Sequence, residues 1–416
     1  MRRPVLLPAA CVVVAALSLL APWALAFDPY AWLVWGREIA HGTLDTSAGP
    51  SWKPLPVLFT LPLSAFGSAA PAVWAIVART GALLALAGAA ALAARLAAPG
   101  RTARLAAAVA AALVLALSPW WWFNAALGNS EGLLAAAVLW AAVAHLDGRR
   151  RLALAALLAG ALIRPEVWPF LGLYGLWLLR DRAARAPVAA AFLAVPLLWF
   201  VPGALGGGGA SSAAQGTPSE GSAALADVPF LAVLGDAAQL LTVPAAIAVV
   251  LALRDRRARA LAACALGYVL IVAVMTQAGY AGNPRYLVPA AALGAALAAA
   301  GAARAPLAAL LVVAVAVTTL GDLRDQTREI GARAATRQGL DALHAKPCGA
   351  VVTSVPQRTA VAWRLRIPIP RVATRVQAGP TTILRARPYG GGPLEPSATR
   401  GRLIRTAPRW ELREQC

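Results

Sequence analysis

Gly132-Leu133-Leu134-Ala135-Ala136-Ala137-Val138-Leu139-Trp140-Ala141-Ala142-Val143-Ala144-His145-Leu146 runs into Asp147-Gly148 and then Arg149-Arg150-Arg151. A half-buried helix of a soluble protein would break such a run with polar residues at a 3.6-residue period. An unbroken one reads as a helix with apolar surroundings on every side, ending at cations that stay in water. The same unit, an apolar run closed by arginines, recurs to about residue 320, with basic turns near 101, 150, 182, 256 and 304. Composition agrees, because 60% of the residues are hydrophobic and mean hydropathy is +0.66, where a soluble chain is apolar over nearer half its length. The fold class is therefore an all-α polytopic membrane bundle, since backbone polar groups in lipid must be satisfied within each segment. A net charge of +20 could suggest nucleic acid, but the arginines sit in short clusters between apolar runs and so set orientation instead.

Working outward from that run, hydropathy gives about eleven transmembrane helices. Met1-Arg2-Arg3 and the apolar stretch to Ala26 have the charge pattern of a signal peptide, but approach crossing length and are read as a retained first span. Ala72 to Leu96 is the second span, and Leu105 to Trp122 climbs to an aromatic belt at Trp120-Trp121-Trp122. Pro229 to Leu253 is expected as one span, and Leu307 to Leu320 as the last. With the N-terminus inside, every basic turn falls on the cytoplasmic side and the C-terminus outside. Residues 1–320 then form the membrane domain, with a first extracytoplasmic loop at 27–71. A glycine-, serine- and alanine-rich loop from Gly206 to Asp227 reads as a mobile linker.

Residues 321–416 are polar and charged throughout, with short β-favouring runs such as Ala350-Val351-Val352-Thr353, and read as a small extracytoplasmic α/β domain. Leu340 to His344 is expected to be helical and Ala350 to Ser354 a strand. Cys11 and Cys264 lie in apolar spans, whereas Cys348 and Cys416 lie in the tail, where an oxidising compartment allows a disulfide; spacing leaves pairing open. His41, His145 and His344 are too scattered to form a metal-ligand set.

The chemistry is sought among polar residues on the outer side, where Arg37, Lys53, Arg164 and Arg285 oppose the charge bias that orients the chain. Lys53 is one of two lysines in a chain whose other basic residues are arginine, and stands in Trp52-Lys53-Pro54-Leu55-Pro56. Asp28, in Phe27-Asp28-Pro29, follows the first span. A carboxylate there could deprotonate an acceptor hydroxyl while Lys53 and an arginine neutralise a phosphate leaving group. Glu131, in Ser130-Glu131-Gly132, Arg164 and Glu166, in Arg164-Pro165-Glu166, and Arg285 and Tyr286, in Asn283-Pro284-Arg285-Tyr286, complete the candidates. A forked guanidinium suits phosphate. Each also has a plainer interpretation. Asp28 could cap a helix, Lys53 could snorkel, Arg164 and Glu166 could be a packing salt bridge, Arg285 and Tyr286 could anchor at the interface, and Arg37, Glu38 and His41 could line a solvated helix face.

The order of these features resembles the GT-C class of membrane glycosyltransferases, which use polyprenyl-phosphate sugars and include protein mannosyltransferases and lipid A aminoarabinose transferases. The matching elements are Asp28, Lys53-Pro54, Ala78-Arg79, Ser130-Glu131-Gly132, Leu162-Ile163-Arg164-Pro165-Glu166 and Pro284-Arg285-Tyr286. The resemblance implies Asp28 as catalytic carboxylate, Lys53 and Arg285 on the lipid phosphate, and Glu131 lining the site. It departs at Phe27-Asp28, where many relatives carry two adjacent acids, which leaves a divalent metal cofactor open. Lys53-Pro54 is followed by Leu55 rather than a second proline. The implied partners are a polyprenyl-phosphate sugar donor, membrane lipid, and a glycan, lipid or protein acceptor, at an extracytoplasmic site in the plasma membrane of a GC-rich bacterium. A polytopic transporter or lipid-linked-sugar flippase is the competing class, and a non-catalytic GT-C relative acting in envelope assembly is the third.

Overall fold

The computed structural model describes residues 6–209, 221–305, 307–376, 378–397 and 400–416. Half of the expected linker, residues 210–220, and the Met1-Arg2-Arg3 signal lie outside the described residues. Sixteen helices are seen among those described. The first is α1 (Leu6–Leu17), then α2 (Phe27–Ala40), α3 (Pro54–Leu63), α4 (Ala70–Leu96), α5 (Arg101–Ala116), α6 (Pro119–Ala126), α7 (Glu131–Leu146) and α8 (Arg150–Ala161). After these come α9 (Trp168–Leu178), α10 (Arg185–Leu205), α11 (Pro229–Leu241), α12 (Val243–Ala252), α13 (Arg256–Gln277), α14 (Val288–Arg304), α15 (Ala308–Leu343) and α16 (Arg358–Leu365). Among the described residues, four stretches are long and apolar enough to cross a membrane: Pro54–Leu96, Arg182–Leu205, Arg256–Gln277 and Pro284–Arg304. Counting α5 with α6 and α11 with α12 as bent spans brings the number to six. The protein is a membrane protein built as a helical bundle.

Two expected spans are broken. Leu105 to Trp122 bends by 66° between α5 and α6, and Pro229 to Leu253 by 83° between α11 and α12. Pro119 and Pro244 each lack the N–H that would continue the helix, and Thr242 between α11 and α12 sits at φ 60°. The first segment is shorter than expected: a 3₁₀ turn at Ser18–Leu20 ends it, and Ala21–Ala26 is not helical. Arg79 holds that end by donating to the Ser18 carbonyl and hydroxyl and to the Ala126 carbonyl.

The bundle packs through small residues. α14 is almost wholly enclosed by α4, α5, α7, α12 and α13, and its buried residues are mostly alanine and glycine. Without side-chain bulk the helices approach closely: a Cβ on Gly132 of α7 would lie 2.9 Å from the backbone N and Cα of Ala82 of α4. A second core is aromatic instead. Trp32, Trp35, Trp52, Trp74 and Trp199 pack with Leu343, Val361, Ile369, Leu384 and Trp410, so the first loop and the C-terminal domain share one hydrophobic cluster.

α15 does not end at Leu320. No proline interrupts Ala308 to Leu343, so one 36-residue helix, about 54 Å long, carries the apolar run straight into the tail. The expected helix at Leu340 to His344 is its last turn, closed by His344 in the left-handed region. The tail forms a five-stranded sheet from β1 (Ala350–Thr353), β2 (Val372–Ala373), β3 (Thr381–Ala386), β4 (Arg402–Ala407) and β5 (Trp410–Gln415), in the order β2-β1-β3-β5-β4. β1 runs parallel to β2 and β3, with α16 in the crossover; β5 is antiparallel to β3 and β4. Trp410 Nε1 donates to the Thr336 carbonyl at 2.7 Å, seating the sheet on α15. Cys348 and Cys416 are joined by a disulfide, which ties the entry to β1 to the end of β5. Cys11 and Cys264 are free.

Candidate active site

Proline breaks create the site. A residue preceding proline is pushed out of the helical region, so it sits at a helix boundary with its side chain released from the helix surface. Lys53 is extended (φ −136°, ψ 108°) before Pro54 opens α3, and Arg164 is extended (φ −143°, ψ 132°) before Pro165. Asn283 (φ −72°, ψ 136°) precedes Pro284, which starts the 3₁₀ turn bearing Arg285 and Tyr286. The Leu55 N–H donates to the Leu162 carbonyl at 2.9 Å, fixing the Lys53 and Arg164 breaks against one another. Asp28 and Glu131 occupy the first turns of α2 and α7, where the helix dipole favours a carboxylate.

These five residues and Glu166 form one chain of alternating charge. Lys53 Nζ lies 3.5 Å from Asp28 Oδ2, which also accepts from Arg285 Nη2 at 2.9 Å. Arg285 Nε is 3.8 Å from Glu131 Oε1, and that oxygen accepts from Arg164 Nη2 at 3.0 Å. Arg164 Nη1 is 3.6 Å from Glu166 Oε1. The Tyr286 ring lies beneath the Arg164 guanidinium, 3.4 Å from its central carbon, and takes a hydrogen bond on its hydroxyl from Asn283 at 3.1 Å. Three cations and three carboxylates thus cancel inside the protein.

Burial is graded along this chain. The side chains of Arg164, Glu131 and Glu166 are at most 1% exposed, whereas Arg285 is 21% and Asp28 10% exposed. The Arg285 and Asp28 end is therefore the end that solvent reaches. The inner end is under-bonded: Glu131 Oε2 and both oxygens of Glu166 lack a hydrogen-bond partner among the described residues. Burial pushes the Asp28 carboxyl up, but Arg285, Lys53 and Arg164 outweigh it and hold the acid below its ordinary range. Burial, reinforced by Arg164, pulls the Lys53 ammonium down to about 8 despite Asp28 and Glu131 beside it.

At each position the contacts bear on the plainer interpretation. Asp28 is no cap, since Ala26 holds that place and no side chain caps α2. Lys53 does not snorkel; it is 3% exposed with its ammonium over the Trp32 ring. Arg164 and Glu166 do pair, but inside the larger chain. Arg285 and Tyr286 face the site rather than anchoring at a surface. Arg37 is not part of it: nine residues beyond Asp28, it donates to the Trp363 and Ile367 carbonyls, both at 3.4 Å, and stacks on Trp363. Sequence reasoning passes over Ser130 and Trp32. Ser130 Oγ takes a hydrogen bond from Lys53 Nζ at 3.5 Å and is fully buried, and its place beside Glu131 at a helix start was the available signal.

Among the described residues, the one grouping of three metal-capable side chains is Cys348, Glu414 and Cys416, whose sulfurs are bonded to each other. At the Asp28 chain the carboxylates are interleaved with Lys53, Arg285 and Arg164, an arrangement that does not fit a divalent ion.

No family model matches the chain, and no curated protein matches it in sequence. Solved structures do. ArnT from Cupriavidus metallidurans in the apo state superposes with a TM-score of 0.61 at 15% identity, covering 99% of this chain and 97% of that one. The same protein bound to undecaprenyl phosphate gives 0.62 at 14% identity with the same coverage. The chain has that fold from end to end.

Proposed function

We propose that this protein is an integral-membrane glycosyltransferase that moves a sugar from a polyprenyl-phosphate carrier to a hydroxyl of a cell-envelope acceptor, whether glycan, lipid or protein. The observation that carries this is the open end of the charge chain, where Lys53 and Arg285 converge on one oxygen of Asp28. A fold shared with a protein solved in complex with undecaprenyl phosphate supports the donor class.

The chemistry follows from an exchange of partners. In the resting protein Asp28 is doubly ion-paired and therefore a poor base. A lipid phosphodiester brings one negative charge, to which Lys53 and Arg285 can transfer, freeing Asp28 as its basicity recovers. The acceptor oxygen then bonds to the anomeric carbon as its proton passes to Asp28. The bond to phosphate breaks with its electron pair on the phosphate oxygen, whose charge grows to two and is met by the same cations. Glu131 and Glu166 are at most 1% exposed behind Arg164, so neither reaches an anomeric carbon to form a covalent glycosyl intermediate, and single displacement inverts the anomeric centre. Glu131 lines the site and, with Glu166 and Tyr286, fixes Arg164 beneath it.

The finer topology belongs to the same proposal: eleven spans, N-terminus inside, with the site and the tail on the extracytoplasmic face of the plasma membrane. The short apolar helices α1, α7, α8 and α9 and the first part of α15 would supply the additional crossings. Labelling of a cysteine placed at residue 150 from outside the cell would overturn it.

The deciding experiment is Asp28→Asn assayed with a radiolabelled polyprenyl-phosphate sugar in purified membranes. The expected loss is about 10²–10⁴-fold in transfer, with donor binding retained. Unchanged transfer, or movement of the lipid-linked sugar across the bilayer with no covalent product, would defeat the proposal.

A further inference from the structure

A cavity of about 600 Å³ lies on the other side of α2, walled by the tail of α15 and by α16. At 3.6 residues per turn, Tyr30 and Arg37 project roughly half a turn around α2 from Asp28. The cavity and the Asp28 chain are therefore separated by the helix itself. Its character is also opposite. In the Asp28 chain every cation meets a carboxylate, but here the cations are in excess.

Four arginines line the cavity, Arg37, Arg337, Arg364 and Arg366, against two acids. Asp341 pairs with Arg364 at 3.4 Å, and Glu38 accepts the Asp45 N–H at 3.1 Å through Oε2, while its buried Oε1 has no partner among the described residues. Among the described residues no carboxylate comes within ion-pairing distance of Arg37, Arg337 or Arg366. Arg37 and Arg337 donate instead to neutral carbonyls, those of Trp363, Ile367 and Trp23. Each guanidinium is also laid on a tryptophan, Arg37 at 5.2 Å from the Trp363 ring and Arg337 at 4.0 Å from Trp23. Stacking fixes a planar fork in place, and with five N–H groups each guanidinium has donors beyond those the carbonyls take, which is the preorganised form in which arginine receives phosphate or carboxylate. The remaining wall, at Ser64, Gly67, Ser68 and Pro71, is the turn that joins α3 to α4, which the proposed topology puts at the membrane boundary.

We propose that this cavity is a second binding site, separate from the Asp28 chain, that takes the phosphate group of a membrane-interface ligand between α2 and the C-terminal domain. Phosphate could arrive on an anionic lipid headgroup or on a phosphorylated water-soluble ligand, and the chemistry of recognition is the same. Because Thr359 of α16 donates to the Phe27 carbonyl at 2.8 Å, occupancy also bears on the helix that carries Asp28. The proposal does not depend on the transferase assignment.

The test is thermal unfolding of the full chain in nanodiscs, with inorganic pyrophosphate as soluble probe and phosphatidylglycerol against phosphatidylcholine as the lipid arm, at matched ionic strength. For a soluble ligand, pyrophosphate raises the melting temperature in phosphatidylcholine discs. For a headgroup, phosphatidylglycerol raises it and pyrophosphate adds nothing more. In either case the rise persists in Lys53→Met, where the other phosphate site is disabled, and the apparent affinity weakens by roughly tenfold or more for each guanidinium removed in Arg37→Gln and Arg337→Gln. Should the paired variant fail to fold, the exposed Arg366→Gln reads the same response with little cost to packing. No response of the wild type to either arm, or a wild-type response in every arginine variant, overturns the site.

Discussion

The Asp28 chain and the Arg95–Asp147 pair use the same functional groups at different depths. Arg95 Nε and Nη2 meet the two Asp147 oxygens at 2.7 and 2.8 Å, a bidentate fork with both side chains about one-third exposed. The contacts of the Asp28 chain run from 2.9 to 3.8 Å, its inner members are fully buried, and three carboxylate oxygens lack hydrogen bonds. The better geometry therefore stands where it matters least, because water screens it and competes for it. Ions are placed poorly in a dry interior only where something other than stability retains them. The difference separates a pair that links two helix ends from a chain that stability alone does not explain, which is what the proposed phosphate site requires.

The comparison breaks most sharply at Arg164. Arg164→Met leaves Glu131 and Glu166 buried with no cation between them, and the expected loss is about 3–5 kcal/mol of stability. The charge-free triple variant Arg164→Met, Glu131→Gln, Glu166→Gln is expected to recover most of that loss while remaining inactive, since burying uncharged groups avoids the desolvation cost. Denaturation of the purified protein with a transfer assay on the same samples distinguishes the two effects. If the triple variant were as unstable as the single one, the chain would be serving packing.

Much of this site was readable before any coordinate. Lys53-Pro54, Arg164-Pro165 and Pro284-Arg285 announce helix breaks bearing charge, and charge at a break inside an apolar chain is costly enough that function is the default reason for it. What could not be read is what tertiary contact decides. The bends before Pro119 and at Thr242 sit within runs whose hydropathy is continuous, so composition hides them. The α15 helix outruns its apolar half because nothing in Gly321 to Leu343 stops it, and its polar half is supported by pairs such as Glu329 with Arg333 at 2.6 Å. Arg37 shares the expected outer position of the other candidates, yet its partners lie more than three hundred residues away, in a sheet domain foreseen only in outline.

Proton linkage gives an intermediate effect. With its ammonium pulled down to about 8, Lys53 loses its charge in the free protein as pH rises through that value. A phosphate needs the charged form, so donor affinity is expected to fall on the alkaline side of about pH 8 and to be flat below it; Lys53→Arg should move that fall to higher pH. Stability runs the other way. The folded-state value lies below the unfolded one, near 10.5, so the unfolded chain holds more protons between them and the empty protein gains stability as pH rises from about 8 to 10.5. A donor-binding curve that stays flat across pH 8 would remove Lys53 from the phosphate site.

The smallest effect is expected at the pair with the best geometry. Arg95→Gln removes a bidentate contact and one positive charge at the helix end, and Asp147 remains hydrated rather than stranded because it is one-third exposed. The expected loss is about 0–1 kcal/mol, shrinking further at high salt as screening replaces the partner. Transfer activity should not change, since the pair lies at the opposite end of α7 from Glu131 and, among the described residues, touches no member of the Asp28 chain. A loss approaching that of Arg164→Met would mean that burial is not what distinguishes the two sets of ions. The loose contacts around Arg164 would then no longer point to an arriving phosphate.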